Sequence, residues 1–180
     1  LYRVKGSPAA SYELLYTGRY QSAFQLNFPE VEVGDKSVAV EQIIRITAGM
    51  SGYESEVTVS PKLAGLSFAA GIVNLESDTF YTETTDQLAI LYTHDQQAFL
   101  GEYLGMAVIC PKAQFIQNHT APEAGSGIIQ TFASLQEFDE KGKAKHLFAA
   151  GWEKKKVDFA EREKFLQQLI IDGAKWQRLW

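Results

Sequence analysis

Through most of this chain polar and apolar residues alternate one by one, and a period of two belongs to strands rather than to amphipathic helices. In "YESEVTVS" (53–60), Tyr53, Ser55, Val57 and Val59 share one face, while Glu54, Glu56 and Thr58 share the other. "VAVEQIIRIT" (38–47) repeats the pattern, with Val38, Val40, Ile44 and Ile46 on the apolar side and Glu41, Arg45 and Thr47 opposite. The two segments flank "AGMSG", a turn with two glycines, and so predict a hairpin. Further strands are expected at 12–16, 19–28, 65–74, 87–93, 103–110, 128–138 and 144–151. Turn clusters such as "PEVEVGDK", "SPKLAG", "APEAGSG" and "FDEKGK" separate several of them. The helical crossovers that a parallel sheet requires are missing. The expected fold is therefore all-β, an antiparallel β-sandwich.

One helix breaks the pattern. Asp158 stands three residues before Glu161 in a capping-box arrangement. Phe159, Phe165, Leu166, Leu169 and Ile170 then recur at helical spacing. A packing helix is expected over 158–172, weakened or ended by Gly173 and sealing one end or face of the sandwich. Trp176 would be costly to leave exposed.

With 180 residues, one domain over 1–180 is expected. Hydrophobic residues form 46% of the chain and charged residues 22%, as in folded globular proteins. A net charge of −5 argues against nucleic acid, whose binding draws on clustered cations. The dense basic run, Lys154 to Lys156, has no interleaved aromatics and reads as a solvated turn. No run approaches the roughly 18 apolar residues of a membrane span. The single cysteine, Cys110, excludes an internal disulfide and reads as an inert strand thiol. His94, His119 and His146 lack ligand spacing, so no metal and no cofactor are expected. For acid–base chemistry the stretch to weigh is "YTHDQQAFLGEY", where His94 and Asp95 end one strand and Glu102 begins the next. A hairpin could bring that imidazole and carboxylate together, although a solvated turn histidine fits as well.

Several stretches carry a family resemblance. "HLFAAGWEK" with its following helix, "VEQIIRITAGMSGYESEVTVS", "LSFAAGIV" and "GEYLGMAVICP" resemble, in order, segments of the bacterial family called domain of unknown function 4861. The likeness spans roughly residues 38 to 168 and corresponds to a C-terminal portion, so an upstream segment or a companion chain is expected. The resemblance implies a galactose-mutarotase-like supersandwich, or half of one, in a periplasmic or secreted protein of polysaccharide degradation. It implies a carbohydrate ligand on one sheet face and no settled reaction, so a hydrolase, a lyase, an epimerase and a non-catalytic module all stay open. On that footing Trp152, at a strand end, is a candidate for stacking on a sugar ring, with packing under the helix as the alternative. Arg45 is a candidate clamp for a uronate carboxylate, with a surface salt bridge as the alternative and with Arg3 and Arg19 less well placed; His119, in the long irregular segment, is a candidate lid residue, with an ordinary surface histidine as the alternative.

Overall fold

The computed structural model describes residues 4, 8–73, 76–121 and 131–179. Arg3, Trp180 and the Gly-Ser-Gly run at 125–127 lie outside them. Within the described residues the fold is the expected antiparallel sandwich with a C-terminal helix. The large sheet has eight strands, formed by β1 (Ser11–Tyr16), β2 (Gln21–Val33), β3 (Lys36–Thr47), β4 (Gly52–Ser60), β6 (Tyr81–Thr84), β7 (Leu88–Asp95), β8 (Leu104–Pro111) and β11 (Lys143–Trp152). Their order is β1-β2-β3-β4-β11-β8-β7-β6. The small sheet has the order β5-β10-β9, from β5 (Ser67–Val73), β10 (Thr131–Glu137) and β9 (Phe115–Thr120).

Two strands were not anticipated. β6 has only four residues, too few to display a period. β9 reads "FIQNHT", where Asn and His interrupt the apolar beat, so His119 sits on a strand and not in a loop.

Register carries the face of each residue across the large sheet. Ile90, Ile109, Leu147, Glu54 and Arg45 form one continuous row over β7, β8, β11, β4 and β3. That row changes from apolar to charged between β11 and β4. The change marks the reach of the helix α1 (Arg162–Gln177), which packs on β8 and β11. Under it, Leu88, Ile90, Ile109 and Leu147 meet Phe165, Leu169 and Trp176 in one cluster. Each such side chain contributes about 1.5–3 kcal/mol when fully buried.

A 3-10 turn (Val157–Ala160) precedes α1, so Asp158 lies outside the helix that it was expected to cap. The helix starts after Glu161 without a side-chain cap. Gly173 lies inside α1, where a Cβ would come within 2.6 Å of Leu88 Cδ1. A close approach to the sheet, rather than a helix end, is what that glycine serves. The buried carboxylate of Asp172 accepts a hydrogen bond from the Ser51 backbone N–H at 3.4 Å, tying α1 to the β3-β4 turn.

The Gly-Trp corner of β11 has a similar cause. Gly151 and Gly105 are register partners on neighbouring strands, and the Phe165 ring rests on both. A Cβ would come within 2.2 Å of that ring at Gly105 and within 2.7 Å at Gly151. Two adjacent glycines thus form the flat seat onto which the helix locks.

On the opposite face, the small sheet sets Ala70, Ile72 and Phe132 against Leu91, Met106 and Val108. Cys110 is buried there, 3.8 Å from Ser134 Oγ, and burial pushes its thiol up to about 11. His146 is buried on the same face, stacked on Phe68 with ring centroids 5.5 Å apart. Burial holds its imidazole down at about 4, against an ordinary value of 6.5.

Two outcomes follow. Gly105→Ala should destabilise the protein by about 1–3 kcal/mol in urea unfolding, and by measurably less when Phe165→Leu is already present. Because the unfolded chain protonates His146 near its ordinary value while the folded chain resists, stability should be complete above pH 6.5 and decline as pH falls towards 4. The loss amounts to about 3 kcal/mol. His146→Leu should flatten this slope in denaturation curves recorded across that range.

Candidate functional site

Where α1 stops, β11, β4, β3, β2 and β1 continue the same sheet face with polar side chains. No described helix or strand lies over this part. Because successive residues in a strand point to opposite sides, one buried face forces a polar set onto the other. Five neighbouring strands apply that rule in register and so assemble a lattice of hydrogen-bonding groups.

Its centre is β4. Glu56 is paired in register with Lys145 and is gripped by two cations, Lys143 Nζ at 2.8 Å and Lys145 Nζ at 3.0 Å. Its side chain is only 8% exposed. Burial alone would raise the carboxyl, but the bonds from Lys143 and Lys145 outweigh it and hold Glu56 below the usual carboxylate value. Two residues along, Glu54 accepts from Arg45 Nη1 at 2.9 Å. The two carboxylates stand on one side of the strand, about 7 Å apart by strand geometry.

Towards the sheet edge amides join the carboxylates. Gln25 Nε2 donates to Asn27 Oδ1 at 2.7 Å and to Glu41 Oε2 at 3.1 Å, and Asn27 Nδ2 donates to Ser11 Oγ at 3.3 Å. Tyr16 lies beside Ala23 in the Arg45 row, part exposed, with its hydroxyl bonded to Gln21. The face thus offers amides, carboxylates, cations and one phenol ring.

The five residues singled out by sequence fall in different places. Arg45 belongs to this lattice. His94 is buried under α1, where its Nε2 donates to the Phe159 carbonyl at 2.8 Å and its ring stacks on Tyr103 at 5.3 Å. Glu102 is buried in the adjoining turn and accepts from the Leu100 N–H at 3.2 Å, and no hydrogen bond joins it to His94. Trp152 ends β11 on the face opposite Arg45 and is 44% exposed. His119 sits on β9 of the other sheet, opposite Ala133. His94, Glu102 and Trp152 therefore gather at one end of the large sheet, apart from Arg45 and from His119. Among the described residues no group of three His, Cys, Asp or Glu is arranged to hold a metal ion. No helix there is long and apolar enough to cross a membrane.

Sequence reading missed Glu56, Lys143, Lys145, Gln25 and Asn27. Their signal was present in the polar half of each alternating strand, but strand order was needed to show that these halves adjoin.

A sandwich with a helix over half of one sheet face and an open polar lattice on the rest defines the class of this protein. The family model described as Domain of unknown function (DUF4861) matches residues 2–170, so the chain belongs to that family. No curated protein and no solved structure matches it.

Replacing Glu56 with Gln leaves Lys143 and Lys145 facing a neutral amide. Because both lysines are partly solvated, the expected loss is about 1–2 kcal/mol at pH 7. The lowered Glu56 value places this stabilisation above the ordinary carboxylate range and removes it as pH falls through the folded-state value. Urea midpoints of wild type and Glu56→Gln should therefore converge as pH falls below the ordinary carboxylate range.

Proposed function

We propose that this protein binds oligosaccharide or uronic-acid units on the charged half of its large sheet, in the extracytoplasmic breakdown of bacterial polysaccharides. The observation that carries the reading is the polar lattice of Arg45, Glu54, Glu56, Gln25, Asn27 and Glu41 on adjacent strands, over which no described helix or strand lies. Sugar hydroxyls both donate and accept, so planar amides, carboxylates and guanidinium groups at strand spacing match them in pairs. Lys143 and Lys145 add positive charge beside Arg45, which suits a sugar carboxylate.

Binding fits this face better than hydrolysis. Glu56, pinned between two lysines, is ionised at neutral pH and is no proton donor. The His94 Nε2 is engaged by the Phe159 carbonyl. A non-catalytic binding module therefore has the stronger support, and a glycan hydrolase, lyase or epimerase is the rival.

Calorimetric titration with uronic-acid oligosaccharides and their neutral counterparts tests both. Uronate binding is expected, weakened about tenfold by Gln25→Ala and by Arg45→Ala, the equivalent of about 1.4 kcal/mol each. Trp152→Ala, on the far face, should leave it unchanged. Loss of binding in Trp152→Ala alone, or none to any of these sugars in the wild type, would overturn the assignment. Chromatography of the incubated oligosaccharides shows the rival directly, as cleaved, unsaturated or epimerised products.

A further inference from the structure

The same alternation that makes one face of β1, β2 and β3 polar makes the other apolar; Phe68 of β5 and Phe138 cover it at Val31, Val38 and Val40, whereas further along it is exposed. Tyr12, Leu14, Phe24, Leu26, Ile44 and Ile46 lie on that face. Tyr12 is 62% exposed, and Leu14 and Ile46 are 54% exposed each. Over residues 22–26 and 42–46 this face carries no charged side chain. A cavity of about 910 Å³ adjoins it, floored by Val38, Val40 and Val57 and walled by Val4 and by Ala69 and Gly71 of β5. An apolar sheet face of this kind ordinarily packs on another sheet about 10 Å away.

Among the described residues two strand edges are open at the same margin. There β1 pairs only with β2, and β5 pairs only with β10. β5 is the small-sheet strand on this side, since its Phe68 packs with Val57 and stacks on His146. The opposite margin is tied, with Asn118 Nδ2 of β9 donating to Thr82 Oγ1 of β6 at 2.9 Å. The sandwich is thus closed on one side and unfinished on the other.

From this geometry we infer that a second copy of the chain completes it. A two-fold axis parallel to the strands stacks the β1–β3 halves of two large sheets with their apolar faces together. That single operation also carries the β1 edge of each copy to the β5 edge of its partner. The two edges match in length, six residues against seven. Each layer of the dimer then runs eight strands of one copy into three of the other, and neither edge is left as a template for further strands. Over residues 22–26 and 42–46 no like charges are opposed, while Glu13, Glu41 and the polar lattice stay on the outer side. A lipid or a lone helix would cover the floor but leave both strand edges unpaired. This inference does not depend on sugar binding.

Sedimentation equilibrium of the chain should give twice the 20.1 kDa monomer mass. Leu14→Arg and Ile46→Glu should each weaken the dimer at least about tenfold with the circular dichroism of the strands retained, whereas Glu13→Lys, on the other face of the same strand, should not. Hydrogen exchange is the second readout and needs no variant. Amides over Ser67–Val73 should exchange more slowly as protein concentration rises. A wild-type monomer at about 100 μM, an open-ended assembly, or a dimer indifferent to Leu14→Arg and Ile46→Glu overturns the inference. So does a dimer whose β5 amides exchange at a rate independent of concentration.

Discussion

Phe165 lying across Gly105 and Gly151 is the contact on which the arrangement of the molecule depends. A ring can press onto two neighbouring strands only where both lack a Cβ, so this pair of glycines determines where α1 lands. Once the helix is placed there, β7, β8 and β11 must be apolar beneath it. The strands beyond its reach carry charge on the same side. One local packing event therefore divides a continuous sheet face into a core and a candidate binding surface.

The charged half shows how a sheet can carry nearly buried ions. Glu56 is almost as hidden as the aliphatic core, yet no described helix or strand lies over it, and two of its neighbours are lysines. A carboxylate so enclosed is tolerable because each oxygen meets its own cation. The pairings run between strands rather than along one, so they also favour this strand order over alternatives in which β4 and β11 are not adjacent.

Alternation was enough to reveal the sheet, because a period of two survives in any strand with one covered face. It could not reveal β6, too short to repeat, or β9, where His119 and Asn118 hide the pattern. Nor could it distinguish a wet face from a crowded one. Glu54 and Glu56 occupy the side expected to be polar, yet both are buried, paired with cations on other strands. The helix stripe of Phe165 and Leu169 was visible from spacing, whereas Gly173 looked like a terminator because propensity cannot register that Leu88 lies 2.6 Å from where its Cβ would be. The candidate surface was the least legible part. Arg45 alone was picked out, on charge, while its partners emerge only when distant segments are laid side by side.

Cys110 turns the sandwich into its own reporter. The thiol lies between the two sheets, its proton held so firmly that scarcely any nucleophilic sulfur exists at neutral pH. Alkylating dyes will therefore pass the intact molecule by and mark only those in which the layers have parted. With a single cysteine in the chain, every label records one event at one place.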